Sequence, residues 1–211
     1  FHQTNASRNC AYPRGMMKII GLTGGIGSGK STIAKVFESL HIPVFYADQA
    51  GREVLDFDQV VRNEVMELLG GQSYTNGKAN RKQMAEKVFG NDDLLQSLNA
   101  IIHPAVKRAF FDWKKKLPSK TNYCIREAAI LFESGSHADC DKVICVVAED
   151  ELRIRRVLDR DQVKRAEVES RMVKQMPQSE KASKSDFIID NNGQQSVIQQ
   201  VLKIHADLTK A

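Results

Sequence analysis

The sequence has no apolar run near the roughly 20 residues that a bilayer-spanning helix needs, and it does not begin like a secretory signal. Cysteine is scarce, with four residues at positions 10, 124, 140 and 145 and no C-x-x-C pair. These absences argue against a membrane protein, a disulfide framework and a structural zinc site. We therefore expect a cytoplasmic protein in which Cys124 and Cys145, inside apolar runs, are small core residues.

A strong charge of one sign is also lacking, since the formal net charge is only +5. Two of the arginines, Arg8 and Arg14, belong to residues 1–15, a segment without periodicity or acidic residues. We interpret this segment as a leader outside the fold. The mild basic excess that is left suits a protein that binds phosphate groups, and we expect no nucleic-acid or membrane partner.

Short apolar runs alternate with helical patterns along most of the chain. This alternation predicts an α/β fold with a doubly wound, mainly parallel sheet. A block of successive helical patterns reads as an insertion, and a charged helical stretch from Asp150 to Gln175 contains a lid. The predicted division is a core of residues 16–55, 118–158 and 179–211, a helical acceptor-binding insertion of residues 56–117, and a lid of residues 159–178.

The stretch GLTGGIGSGKS, from Gly21 to Ser31, contains the pattern G-x-x-x-x-G-K-[ST] between a predicted strand and a predicted helix. This is the phosphate-binding loop of P-loop NTPases: inward-facing amides and a helix N-terminus bind phosphate oxygens, and glycine keeps Cβ atoms away from them. We expect Lys30 to pair with the β and γ phosphates and the Ser31 hydroxyl to bind Mg²⁺. The predicted ATP-binding residues of the loop are Gly25, Ile26, Gly27, Ser28, Gly29, Lys30, Ser31 and Thr32.

A triphosphate site leaves switches, motors and kinases open. The base-reading motif of guanine switches, N-K-x-D, is approached only by residues 183–186, which precede an apolar run instead of following one. The run KVICVVAED could supply the acid of a remodelling ATPase, but it is unspecific. A kinase needs an acceptor domain and a basic lid, and residues 56–117 and 159–178 suit those roles. We favour a kinase, with another small-molecule kinase or a nucleotide-dependent switch or ATPase as alternatives.

From Lys18 to about the last helix, the sequence resembles the dephospho-coenzyme A kinases. GLTGGIGSGKS is similar to the family's opening, and YADQAGR at 46–52 is similar to its D-A-D-x-x-A-R, with Tyr46 and Gly51 as departures. Residues 98–104 resemble L-x-x-I-x-H-P, and residues 129–133 resemble P-L-L-F-E with Ala129 in place of proline. The R-D pair at 160–161, the R-x-x-x-Q at 171–175 and the turn at 190–193 also resemble family segments.

The resemblance implies transfer of the ATP γ-phosphate, with Mg²⁺, to the 3′-hydroxyl of dephospho-CoA. We expect a monomer or a weak homo-oligomer, since no feature of the sequence indicates a particular oligomeric state. The resemblance also implies that Asp48 is the general base, assisted by Lys30 and Arg160. Each of three residues has an alternative structural role. Asp48 would only cap the following helix, Arg81 would be a solvated surface charge, and His103 would mark a helix boundary at the His-Pro pair. The further residues that the resemblance implies are Arg52, Arg81, His103 and Glu133 for the acceptor, and Arg156, Arg160, Arg171, Asn191 and Gly193 for ATP.

Overall fold

The computed structural model describes residues 17–210, so the proposed leader lies outside the described residues. A five-stranded sheet has the strand order β2-β5-β1-β6-β7, and all of its neighbouring pairs are parallel. Glu127 pairs with Leu22 on one side and with Tyr46 on the other, so the carboxyl ends of three strands meet at one edge. The strands are β1 (Lys18–Thr23), β2 (Val44–Tyr46), β3 (Tyr74–Thr75), β4 (Lys78–Ala79), β5 (Tyr123–Glu127), β6 (Lys142–Val147) and β7 (Phe187–Asp190), of which β3 and β4 form a separate antiparallel hairpin.

Helices cover both faces of the sheet, as a parallel sheet requires. Successive strand residues serve opposite faces: Ile20 belongs to a core with α1 and α9, whereas Ile19 belongs to a core with α2, α3 and α5. The predicted α/β fold is confirmed, and Cys124 and Cys145 are fully buried as predicted. The helices are α1 (Lys30–Ser39), α2 (Ala47–Phe57), α3 (Gln59–Leu69), α4 (Arg81–Val88), α5 (Asp92–Lys115), α6 (Asp150–Asp161), α7 (Arg165–Val173), α8 (Gln178–Ser183) and α9 (Val197–Thr209).

No helix between residues 17 and 210 combines the length and the apolar character that crossing a membrane requires.

The insertion is built from α3, the β3–β4 hairpin, α4 and α5. Its longest helix, α5, has 24 residues and continues through Pro104, so the alternative of a helix boundary at His103 is wrong. Proline removes one intrahelical hydrogen bond, but buried residues on both sides of it, Leu98 and Phe110, pack in the same core and hold the two halves in line. The predicted start of the insertion at residue 56 falls in the last turn of α2.

The charged stretch from Asp150 to Gln175 is two helices instead of one. Helix α6 ends where Gln162 takes a left-handed conformation with φ of 53°. Helix α7 then folds back onto α6, and Ile154, Val157 and Val168 form a small apolar core between them. The periodic charged pattern of the sequence does not reveal this break, because the position of the break depends on how the side chains of α7 pack against α6. The predicted start of the lid at residue 159 therefore falls inside α6.

Candidate active site

The glycine loop connects β1 to α1 and presents open amides at the carboxyl edge of the sheet. Gly29, the N-cap of α1, has φ of 92°, and no side chain caps the helix. Within residues 17–210, the amides of Gly27, Gly29, Lys30 and Ser31 donate no hydrogen bond to the protein. These amides and the N-terminus of α1 form a cradle suited to phosphate oxygens.

Protein atoms occupy the space beside the loop glycines. A Cβ at Gly25 or Gly27 would come within 3.0 Å of Arg153, one at Gly24 would meet the Val146 carbonyl oxygen, and one at Gly29 would meet the Asn191 amide. We expected glycine here because the turn uses positive φ and because a Cβ would push the phosphate away. Positive φ is confirmed at Gly27 and Gly29, with 77° and 92°. The structure adds a further reason, since the loop is packed against β6, α6 and the segment after β7. Sequence spacing alone could not indicate these neighbours.

Lys30 lies buried at the mouth of the cradle, with its Nζ 3.5 Å from the Gly25 carbonyl oxygen. Burial lowers the pKa of Lys30, because the charged ammonium loses hydration, while the nearby carboxylates of Glu127 and Asp48 act in the opposite direction. The lysine predicted to pair with the triphosphate is thus close to two acidic side chains.

Glu127, at the end of β5, is a site residue that sequence reasoning missed. Its side chain is buried; the loss of hydration raises its pKa to about 7, against the lowering effect of Lys30, and Asp48 raises it further. In the sequence, Glu127 is marked only as an acid inside the apolar run NYCIREAAILFE. The candidate acid named from the sequence lies instead in KVICVVAED, whose first six residues form β6. In P-loop NTPases, an acid beside the loop and the loop hydroxyl hold Mg²⁺.

The donors near the cradle fit Mg²⁺, which prefers oxygen ligands and keeps waters and substrate phosphates in its shell. The loop contributes the Ser31 hydroxyl, and the neighbouring acids are Glu127 and Asp48. No cluster of three or more His, Cys, Asp or Glu side chains able to enclose a metal occurs in the described part of the chain. The hydroxyl and the two carboxylates are oxygen donors of the kind that Mg²⁺ prefers.

Asp48 lies in the first turn of α2, directly after β2. The N-cap of α2 is Tyr46, no side chain caps the helix, and the Asp48 carboxylate accepts no hydrogen bond from the described residues. The helix-cap alternative is therefore wrong. Asp48 lines a cavity and also lies close enough to Lys30 and Glu127 to influence their protonation. Its carboxylate is thus positioned between the phosphate cradle and the cavity.

The cavity has a volume of about 270 Å³ and lies between α2, α5 and the loop after β5. Burial lowers the pKa of His103, and Arg81 forms an ion pair of 2.5 Å with Asp56. An open groove of about 570 Å³ continues past His103. The predicted acceptor residues that line the cavity itself are Asp48, Arg52, Arg81 and His103.

Arg126 is a second site residue that sequence reasoning missed: it lines the cavity, precedes Glu127 in β5 and is only 2% exposed. Its guanidinium stacks on the Phe110 ring at 4.8 Å, bonds the Ser136 hydroxyl at 3.2 Å and lies 3.4 Å from Asp139. In the described chain its Nε has no partner. Burying a charged side chain in an interior strand of the sheet costs free energy, and this indicates that Arg126 has a role in the site. Because successive strand residues point to opposite faces, Glu127 is near the cradle and Arg126 near the cavity.

The ATP-binding residues predicted outside the loop fall into two groups. Arg156 donates to the Asn191 carbonyl at 2.8 Å, and the Asn191 side chain donates to the Ser28 carbonyl at 2.8 Å, so both brace the loop from behind. By contrast, Arg160 and Arg171 are exposed and both bond Asp161, at 2.6 and 3.2 Å. Gly193, with φ of 86°, forms the turn after β7.

Glu133, predicted to bind the acceptor, lines the groove and not the cavity. Its carboxylate forms a 2.8 Å ion pair with the fully buried Lys181 and accepts from the Met176 amide at 2.9 Å. Lys181 also donates to the Ala129 carbonyl at 2.6 Å. These bonds link the loop after β5 to the segment that follows α7.

Comparison with known proteins gives consistent findings. The family model described as dephospho-CoA kinase matches residues 18–196. A dephospho-CoA kinase of Bacteroides fragilis is 35% identical over 193 residues, covering 90% of this chain and 92% of that protein. The crystal structure of TT1252 from Thermus thermophilus has a TM-score of 0.83 and 30% identity, covering 92% of this chain and 99% of that one. A dephospho-CoA kinase from Campylobacter jejuni has a TM-score of 0.68 and 25% identity, covering 92% and 98%.

Proposed function

The chain belongs to the dephospho-CoA kinase family, and we propose that the residues between the glycine loop and the cavity carry the transfer of the ATP γ-phosphate to the 3′-hydroxyl of dephospho-CoA. The observation that carries this proposal is the position of Asp48, which lines the cavity and lies near Lys30. An acceptor hydroxyl in the cavity would therefore meet a carboxylate on its way to the phosphate cradle.

The transfer has one bond-forming and one bond-breaking event. The 3′-oxygen of the acceptor attacks the γ-phosphorus, the bond from the γ-phosphorus to the bridging oxygen of ADP breaks, and Asp48 accepts the hydroxyl proton. The open amides and Lys30 bind the phosphates and stabilise negative charge on the transferred group and on the departing ADP. Mg²⁺, which Ser31 and Glu127 would hold, supplies further neutralisation of the phosphate charge.

The acceptor carries a diphosphate, and the cavity walls offer the positive charge of Arg52, Arg81 and Arg126. Arginine suits this task because its planar fork binds two phosphate oxygens and stays charged. We assign the helical insertion, residues 56–117, to acceptor binding. The adjoining groove, with Glu133 on its wall, offers space for the rest of the acceptor.

We assign residues 159–178 to a lid that brings Arg160 and Arg171 to the triphosphate. Both arginines form ion pairs with Asp161, so a triphosphate would compete with one carboxylate for two guanidinium groups. Closure of the lid would exclude water and favour transfer over hydrolysis. The reaction belongs in the cytoplasm, with ATP and dephospho-CoA as substrates and no nucleic-acid partner, and a monomer or weak homo-oligomer stays a prediction.

An acceptor panel tests this function. The purified protein is incubated with magnesium and ATP, and ADP is measured with dephospho-CoA, with adenosine, with nucleoside monophosphates and with no acceptor. We expect ADP only with dephospho-CoA, in equal amount to the CoA formed. ADP formation with a nucleoside or nucleotide would identify another small-molecule kinase, and equal hydrolysis without any acceptor would identify a switch or an ATPase.

A further inference from the structure

The backbone of Ile26, at the tip of the glycine loop, is held on both sides of its Cα by the two-helix unit of α6 and α7 and the segment that follows it. The Ile26 amide donates to Oε1 of Gln175 at 2.9 Å, and the Ile26 carbonyl accepts from Nε of Arg153 at 3.0 Å. Arg153 is buried and is itself held by Asp150 at 2.7 Å. Ile26 is thus bonded to α6 and to a residue two positions beyond the end of α7.

The Ile26 side chain makes a third contact with the same unit. It packs against the apolar core that Ile154, Val157 and Val168 form between α6 and α7. An apolar side chain in a phosphate-binding loop has no chemistry to offer the phosphate. Here it docks the loop against the two helices, which places the neighbouring open amides relative to them.

Gln175 occupies a fixed point of the chain and not a free end. Its own amide donates to the Met172 carbonyl at 3.1 Å, at the end of α7. The next amide, of Met176, donates to Glu133, which is paired with the buried Lys181. The Gln175 side chain therefore projects from the anchored exit of the lid onto the loop.

We propose that Gln175 is a positioning residue for phosphoryl transfer, which acts with Arg153 by holding the backbone of Ile26. With the peptide groups before and after the Ile26 Cα both bound, the amides of Gly27 and Gly29 stay directed into the cradle, and the exit of the lid stays attached to the loop. The lid arginines and the loop then approach the γ-phosphate as one unit. This inference rests on the proposed kinase function, and Gln175 acts through the loop without touching the reacting atoms.

The test compares two glutamines that differ in what they hold. Gln175→Met keeps the side-chain length but loses the hydrogen-bond acceptor for Ile26. Gln200→Met is the matched control, because Gln200, on α9, bonds both the amide and the carbonyl of Asp190, each at 2.8 Å, instead of the glycine loop. For each protein we would measure kcat, the KM for ATP, the ADP formed per CoA, thermal stability, and hydrogen exchange of the Ile26 amide with ATP bound.

We expect Gln175→Met to lower kcat about tenfold, because even a small misplacement of the reacting groups slows phosphoryl transfer. It should also raise the ADP formed per CoA and speed exchange of the Ile26 amide. Gln200→Met should change thermal stability alone. Equal kcat and equal ADP per CoA in the two variants would overturn the inference. If the wild type makes no CoA, the proposed function fails. The hydrogen exchange of the Ile26 amide then tests separately whether Gln175 holds Ile26. Equal exchange rates in all three proteins would overturn the inference that it does.

Discussion

The protonation of Glu127 offers a quantitative test of the buried site. The side chain is 5% exposed, next to Lys30 and Asp48, and the loss of hydration on burial raises its pKa from an ordinary value of 4.5 to about 7. Glu127→Gln keeps the size of the side chain and removes its titration. The perturbation therefore isolates one ionisable group at the end of a central strand.

The direction of the effect follows from proton binding. Between pH 4.5 and about 7, the folded protein holds a proton on Glu127 that the unfolded chain has lost. The contribution of Glu127 to the free energy of unfolding is therefore fully present below pH 4.5 and is lost as the pH rises to about 7. The difference between the two pKa values corresponds to about 3 kcal/mol.

Urea unfolding of the ligand-free protein at a series of pH values from about 5 to about 8 measures this contribution. We expect the wild type to lose about 3 kcal/mol more than Glu127→Gln over this interval. Glu64→Gln is the control, because Glu64 is exposed on α3 and far from the cradle in sequence and fold. Parallel curves for the wild type and Glu127→Gln would refute the reasoning, since they would mean that Glu127 does not titrate in this window.

Three further substitutions test other parts of the site. Asp48→Asn should lower kcat by about 10² to 10⁴ through loss of the proton acceptor, with ATP binding by calorimetry unchanged; unchanged kcat would remove Asp48 from the mechanism. Arg126→Met should raise the KM for dephospho-CoA about tenfold by removing a charged partner from the cavity and leave the KM for ATP unaltered; a change confined to ATP would contradict its assignment. Gly27→Ala should cost about 1 to 3 kcal/mol more in urea unfolding than Gly77→Ala. Both glycines have positive φ, of 77° and 79°, but a Cβ meets Arg153 only at Gly27, so equal losses would show that crowding is unimportant.

Local patterns carried most of the correct predictions. The alternation of apolar runs and helical periodicity predicted the α/β fold, because each strand and helix shows its buried face in its own sequence. The glycine pattern and Asp48 were identified as candidates for a related reason: each directly follows a predicted strand, and the carboxyl ends of parallel strands share one edge. The roles of these residues stay predictions. Such features depend on a few neighbouring residues.

Tertiary structure alone decided what lies beside those residues. Strand β5 lies between β1 and β2, far from both in sequence, and this placement turns Glu127 toward Lys30 and Arg126 toward the cavity. Contacts from α6 explain why Gly25 and Gly27 have no side chain, and packing explains the helix that continues through Pro104. The sequence by itself thus determined the elements and the phosphate loop, whose signals are local. The partners of the loop, the charged cavity wall and the break in the lid depend on long-range packing and burial, which no local pattern records.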